Sequence, residues 1–174
     1  PGASVIAMDQ ERANELLTAY DLPEKFYLFL GTLEPRKNIE GIIKAFDKYH
    51  AEYPDTNLVL IGNKGWIYQK LLHSIKKRKY IKYLGFITSP LKDALYVSAE
   101  GLIWPSFYEG FGFPAGEAMS CGIPLVSTNG GSLPEVVGDA AIVVPHSNPK
   151  ALKDAIKSLL NSPEKRTDFG NRGS

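Results

Sequence analysis

The sequence contains a single cysteine, Cys121, so an intrachain disulfide is impossible and a reducing compartment, the cytoplasm, is the simpler expectation. It is also short of net charge. Twenty basic side chains face nineteen acidic ones, a balance of +1, which leaves no global field for nucleic acid or an anionic membrane and makes any anion site local. Long apolar runs are missing: Phe26 to Leu30 and Leu58 to Ile61 fall far below the roughly 20 residues that span a bilayer, so no integral membrane segment is expected. The opening Pro1-Gly2-Ala3-Ser4 has no basic stretch leading into an apolar one, and residues 1–8 read as a linker rather than a signal peptide. His50, His73 and His146 have no cysteine or carboxylate at ligand spacing, which predicts surface or capping roles and no bound metal.

What remains is the composition of one folded domain. The chain has 174 residues, 44% of them apolar, 22% charged and 11% aromatic, enough to build and fill a single core. Short apolar or β-branched runs, of the length of strands buried on both faces, occur at Tyr27 to Leu33, Leu58 to Gly62, Ile81 to Leu84, Gly101 to Trp104, Leu125 to Thr128 and Ala141 to Val144. Helical patterns separate them. After Asn38, a candidate N-cap, Ile39, Ile42, Ile43, Phe46 and Tyr49 share one helical face while Lys44, Asp47 and Lys48 share the other. Further helices are predicted over about Gln10 to Tyr20, Tyr68 to Lys79, Pro90 to Val97, Pro114 to Cys121, Leu133 to Val137 and Pro149 to Leu160. The alternation predicts a Rossmann-like α/β domain with about six parallel strands and helices on both faces. Its ligand crevice then lies beyond the carboxyl ends of the strands. Residues 163–174 read as a further helix cut short before it finds a packing partner.

The chemistry concentrates between Trp104 and Pro124. After a strand that ends at Trp104, Gly110 and Gly112 permit close backbone approach to a ligand, and Pro114 suits the first position of a helix. The free N–H groups and positive dipole end of that helix favour phosphate or sugar oxygens. Glu109 precedes the helix and Glu117 lies in its first turn. Taken alone, the first is a solvated loop acid and the second a dipole-stabilising one. Cys121 at the helix end reads as a small buried filler, Phe107, Tyr108, Phe111 and Phe113 mostly as core, and Lys76-Lys77-Arg78-Lys79 as a solvated helix face.

Together, Ser106, Glu109, Gly110, Phe111, Gly112, Pro114, Glu117, Ala118, Met119, Cys121, Gly122 and Pro124 resemble the Glu-x7-Glu signature of the group 1 retaining glycosyltransferases. Gly31-Thr32-Leu33-Glu34-Pro35-Arg36-Lys37-Asn38 is similar to that family's diphosphate-binding loop, and Ser132-Leu133-Pro134-Glu135-Val136, Gly62 to Trp66 and Leu84-Gly85-Phe86 also look like family segments. The resemblance implies the nucleotide-sugar donor domain of a two-domain GT-B enzyme, over residues 1–174, with the acceptor domain absent from the sequence. It implies that Arg36 and Lys37 hold the diphosphate, that Glu117 accepts from the ribose hydroxyls, and that Glu109 stands beside the transferred sugar as the catalytic residue. Thr32, Gly110, Phe111, Gly112 and Phe86 complete the implied donor site. Many family members carry arginine where this chain has Thr32, and Arg36 is then its substitute; the alternative for Arg36 and Lys37 is a solvated basic pair ahead of a helix.

The function so implied is transfer of a hexose, with retention, from a nucleoside diphosphate sugar to an acceptor hydroxyl, without a cofactor. The mannosyltransferase branch is the most similar, which favours GDP-mannose over a UDP-hexose, in polysaccharide biosynthesis. A glycosidase, a sugar-nucleotide epimerase and a non-catalytic nucleotide-binding module are the alternatives. The expected partners are the nucleotide sugar and the missing acceptor domain, with no nucleic acid, and any peripheral contact with the inner membrane is expected through that missing domain.

Overall fold

A computed structural model describes residues 8–34, 37–65, 68–104, 123–128, 141–144 and 149–160. Six short strands form one parallel sheet: β1 (Phe26–Leu30), β2 (Asn57–Ile61), β3 (Ile81–Gly85), β4 (Gly101–Trp104), β5 (Leu125–Thr128) and β6 (Ala141–Val144), in the spatial order β3-β2-β1-β4-β5-β6. The described helices are α1 (Gln10–Ala19), α2 (Ile39–Glu52), α3 (Tyr68–Lys76), α4 (Ser89–Ser98) and α5 (Pro149–Leu160). Tyr27 pairs with Leu58 on one side and Gly101 on the other, which centres β1 in the sheet.

The order of strands dictates the layers. Steps from β1 to β2 to β3 run in one direction, so right-handed crossovers carry α2 and α3 over the same face. The step back from β3 to β4 carries α4 over the opposite face, where it packs on α1. Helix α5 returns to the first face and packs on α2. Phe26, Tyr27, Leu28 and Phe29 of β1 are all buried, as a strand covered on both sides requires. Ile42, Ile43, Phe46 and Tyr49 project from α2 into that layer, and the rings of Tyr27, Phe46 and Tyr49 meet edge to face at 5.8–6.3 Å. Helix α1 starts at Asp9, whose carboxylate accepts from the Arg12 N–H at 2.7 Å, and buries Ala13 and Leu17.

Three expectations need correction. The first strand ends at Leu30: the Gly31 N–H still reaches the Ile61 carbonyl, but beyond it only Leu33 pairs again, as an isolated bridge to Lys64. Asn38 does occupy the N-cap of α2, but in a left-handed conformation (φ 54, ψ 41) and without a side-chain capping bond. Its amide is turned over Gly41 instead, where a Cβ would stand 2.5 Å from Asn38 Oδ1. Helix α3 stops at Lys76, and Arg78 is not part of a solvated helix face. Its guanidinium grips Asp47 of α2 through Nε at 2.6 Å and Nη2 at 2.7 Å, and also donates to the Ser74 carbonyl. Tyr80 donates its hydroxyl to the same carboxylate and stacks on His50, whose Nδ1 donates to the Thr56 carbonyl. The linker over 1–8, apart from Met8, and the helix over 163–174 lie outside the described residues.

The Asp47 pairing has a pH signature. The bonds from Arg78 hold the Asp47 carboxyl below its ordinary value of 3.8, with Tyr80 adding to the effect. A carboxyl whose folded pKa is depressed stabilises the native state fully above its unfolded value and loses that contribution as pH falls through the folded one. Arg78→Ala is expected to cost about 1–2 kcal/mol at neutral pH, since the pair is partly exposed. Urea unfolding from neutrality down into the acid range should then show a shallower acid loss in Arg78→Ala and Asp47→Asn than in the wild type; parallel curves would remove the pair from the stability balance.

Candidate functional site

In a sheet of order 3-2-1-4-5-6 the chain switches direction between β1 and β4, and the crevice opens beyond the carboxyl ends of those two strands. Two segments leave the sheet there. One is the loop 31–38 after β1, and the other follows Trp104 at the end of β4; the Leu102 N–H donates to the Pro124 carbonyl at 2.9 Å just ahead of β5.

The first loop is built as an extension of the sheet. The Gly31 N–H donates to the Ile61 carbonyl at 2.8 Å, the Leu33 N–H to the Asn63 carbonyl at 3.0 Å, and the Gly62 N–H to the Gly85 carbonyl at 2.9 Å. These backbones approach so closely that only glycine fits twice. A Cβ on Gly62, whose φ is 141, would stand 1.9 Å from the Gly31 carbonyl oxygen, and a Cβ on Gly65 would stand 1.8 Å from that of Leu33. Tyr83 of β3 completes the arrangement by donating its hydroxyl to the Gly62 carbonyl at 2.7 Å, and burial pushes its pKa up.

This frame positions Lys37. The Lys37 N–H donates to the Glu34 carbonyl at 3.0 Å. The side chain crosses Gly31, where a Cβ would stand 3.6 Å from Lys37 Cε, and only 7% of the residue is exposed. A solvated basic residue ahead of a helix does not look like this. Lysine is rarely buried so far, because its ammonium then has to be met by an acceptor or an anion. Thr32 lies half-buried between Gly31 and Leu33 in the same loop. Phe86 follows β3 at the same end of the sheet with 77% of its surface exposed, two strands from β1 and so about 10 Å to its side. Its ring is free of the core.

Lys37, Thr32 and Phe86 are therefore brought to the carboxyl-end face of the sheet. Arg36, Glu109, Gly110, Phe111, Gly112 and Glu117 lie outside the described residues, as do the helices expected over Pro114 to Cys121 and Leu133 to Val137. Among the described residues no group of three His, Cys, Asp or Glu side chains has the arrangement of a metal site. Tyr83 was not singled out in the sequence; its only signal there is an aromatic residue two positions before a strand-ending glycine.

The two glycines that look alike in sequence differ in what they meet. Gly62→Ala forces a carbonyl apart and is expected to destabilise the fold by about 2 kcal/mol or more. Gly85 has φ 71 but open space around its Cβ direction, with Tyr83 Oη at 3.9 Å, so Gly85→Ala should cost only the left-handed penalty of about 1–2 kcal/mol. Denaturant melts of the two variants test the close approach, and equal losses would mean the loops part freely.

Comparison with known proteins follows the same lines. The family model described as "Glycosyl transferases group 1" matches residues 17–174. O-antigen chain mannosyltransferase B from Escherichia coli is 39% identical over 166 residues, which cover 91% of this chain and 43% of that protein. The chain thus spans less than half the length of this curated relative. Among solved structures, the C-terminal domain of a group 1 family glycosyl transferase, LpcC from Francisella tularensis, superposes with a TM-score of 0.84 at 23% identity, covering 99% of this chain and 94% of that one. Anabaena Alr3699/HepE in complex with UDP superposes with a TM-score of 0.85 at 19% identity, covering 99% of this chain and 49% of that one. The fold is that of the carboxyl-terminal half of the GT-B architecture.

Proposed function

The chain belongs to the group 1 glycosyl transferases, and from that membership we propose that it is the donor-binding domain of an enzyme that transfers a hexose from a nucleoside diphosphate sugar to an acceptor hydroxyl. The observation that carries this reading is the buried Lys37, laid across Gly31 at the topological switch point. Mannose is the sugar we assign, in GDP-mannose, because the similar Escherichia coli protein is an O-antigen chain mannosyltransferase. A UDP-hexose is the donor to compare, since UDP occupies the structural neighbour. The remaining length of the relative accommodates the acceptor-binding domain, which would close the crevice from the other side.

In this reading the diphosphate lies over the end of β1. Lys37 and Arg36 neutralise its oxygens, and the amides of Gly110, Phe111 and Gly112 donate to them. Charge on these oxygens grows as the bond from the anomeric carbon to the diphosphate breaks, so fixed positive groups stabilise the transition state more than the ground state. The acceptor oxygen forms the new bond to that carbon and passes its proton to the departing diphosphate oxygen. Glu117 accepts from the two ribose hydroxyls, Phe86 stacks on the base beside Thr32 and the β1 loop, and Glu109 stabilises the cationic sugar as the leaving group departs. Retention at the anomeric carbon is part of the proposal.

Two measurements bear on these roles. Lys37→Ala should weaken GDP binding to the chain by roughly 10- to 100-fold, the value of a charge-assisted hydrogen bond, and leave guanosine binding unchanged; equal losses for both, read by calorimetry, would make Lys37 a structural residue. In the full-length enzyme Glu109→Gln should lower kcat by at least roughly 100-fold while donor affinity stays within a few fold. Turnover near that of the wild type would take Glu109 out of the chemical step. A thermal-shift panel of nucleotide sugars tests the choice of donor, because a ligand at 100 times its Kd stabilises a fold by about 2.7 kcal/mol.

A further inference from the structure

The net charge of +1 conceals a segregation that the fold creates. Helices α2, α3 and α5 cover one face of the sheet, and with the turn 77–79 they carry ten basic side chains against four acidic ones, +6 in all. Helices α1 and α4 on the other face carry two basic against three acidic. On the first face Lys44, Lys48, Lys70, Lys76, Lys77 and Lys79 are exposed. Two of its four acids are already engaged. Asp47 is gripped by Arg78, and Glu52 bridges Lys153 and Lys157 of α5 at 2.8 Å each, which holds its carboxyl at about 2. Only Glu40, at the crevice end of α2, and Asp154 remain to offset the six lysines.

We propose that the α2–α3–α5 face is a docking surface for an anionic lipid bilayer. The kind of charge selects this partner over nucleic acid. Phosphate-backbone recognition with sequence or strand preference draws on exposed arginine forks and aromatic platforms. The arginine of this face is spent on Asp47, and the exposed large apolar side chains among the described residues, Tyr20 and Phe86, both lie off these three helices. Among the described residues, what is left is an array of lysine point charges with no exposed large apolar side chain, suited to headgroup attraction that is reversible and salt-dependent. Bilayer contact on this face leaves the crevice beyond β1 and β4 open at the side, parallel to the membrane surface. The inference stands independently of the donor proposed above.

Co-sedimentation of the chain with phosphatidylcholine vesicles, with and without phosphatidylglycerol, tests it. Binding is expected only with the anionic lipid at low ionic strength and should fall as salt is raised. Lys76→Gln with Lys77→Gln should weaken partition at least about tenfold, from roughly 1 kcal/mol per lysine at the surface. Arg12→Gln with Lys92→Gln, which removes the same charge from the α1–α4 face, should change it by less than about twofold. Lys44→Gln with Lys48→Gln provides a second pair on the face should the first alter the melting temperature. Absence of binding to anionic vesicles, equal losses in the on-face and off-face pairs, or tighter binding to a nucleic-acid duplex than to the vesicles would overturn the proposal.

Discussion

The close approach of backbones at the carboxyl edge of the sheet is the constraint on which the site depends. In most parallel sheets the loops part as soon as the strands end. Here the ladder continues past β1 and β2, with Gly31 bonded to Ile61 and Leu33 to Asn63, and there is no room for a side chain at Gly62 or Gly65. The loop that carries Lys37 is consequently tied to the sheet at Gly31 and Leu33. In the proposed diphosphate role, a side chain fixed in this way would lose little freedom on binding, which is how a rigid scaffold improves both affinity and orientation. Tyr83 extends the same frame sideways to the edge strand through the Gly62 carbonyl.

The opposite half of the domain is organised by charge. Asp47, Arg78, Tyr80 and His50 join the carboxyl-terminal half of α2 to the start of β3, and Glu52 joins α2 to α5. Asp47 and Glu52 are satisfied within the fold, so the exposed lysines of these helices have little to offset them. A domain that is nearly neutral as a whole thereby acquires a strongly basic face, while the crevice at the strand ends has its own cation in Lys37.

The strand cores were legible because a parallel sheet covered on both faces needs continuous apolar runs, and Tyr27 to Leu30, Leu58 to Ile61 and Leu125 to Thr128 have no other use. Helix α2 was legible from its one-sided apolar pattern. Asn38 illustrates the limit of such reading: its position at the helix start followed from the pattern, but its left-handed backbone depends on how the β1 loop enters the helix. Arg78 was misread as solvated because its partner, Asp47, lies 31 positions earlier, beyond any local pattern. Lys37 could be taken from residue order alone for either a phosphate ligand or a surface charge.

By itself the sequence determined the alternation of strand and helix, the place of the glycines at strand ends and the kinship carried by the segment from Ser106 to Pro124, because each is set by local periodicity or by residue order. Tertiary structure alone decided that β1 and β4 are neighbours, that Lys37 is buried over Gly31, and that ten basic groups share one face. The physical reason is that strand order, burial and charge segregation arise from contacts between residues far apart in the chain, which no local pattern encodes.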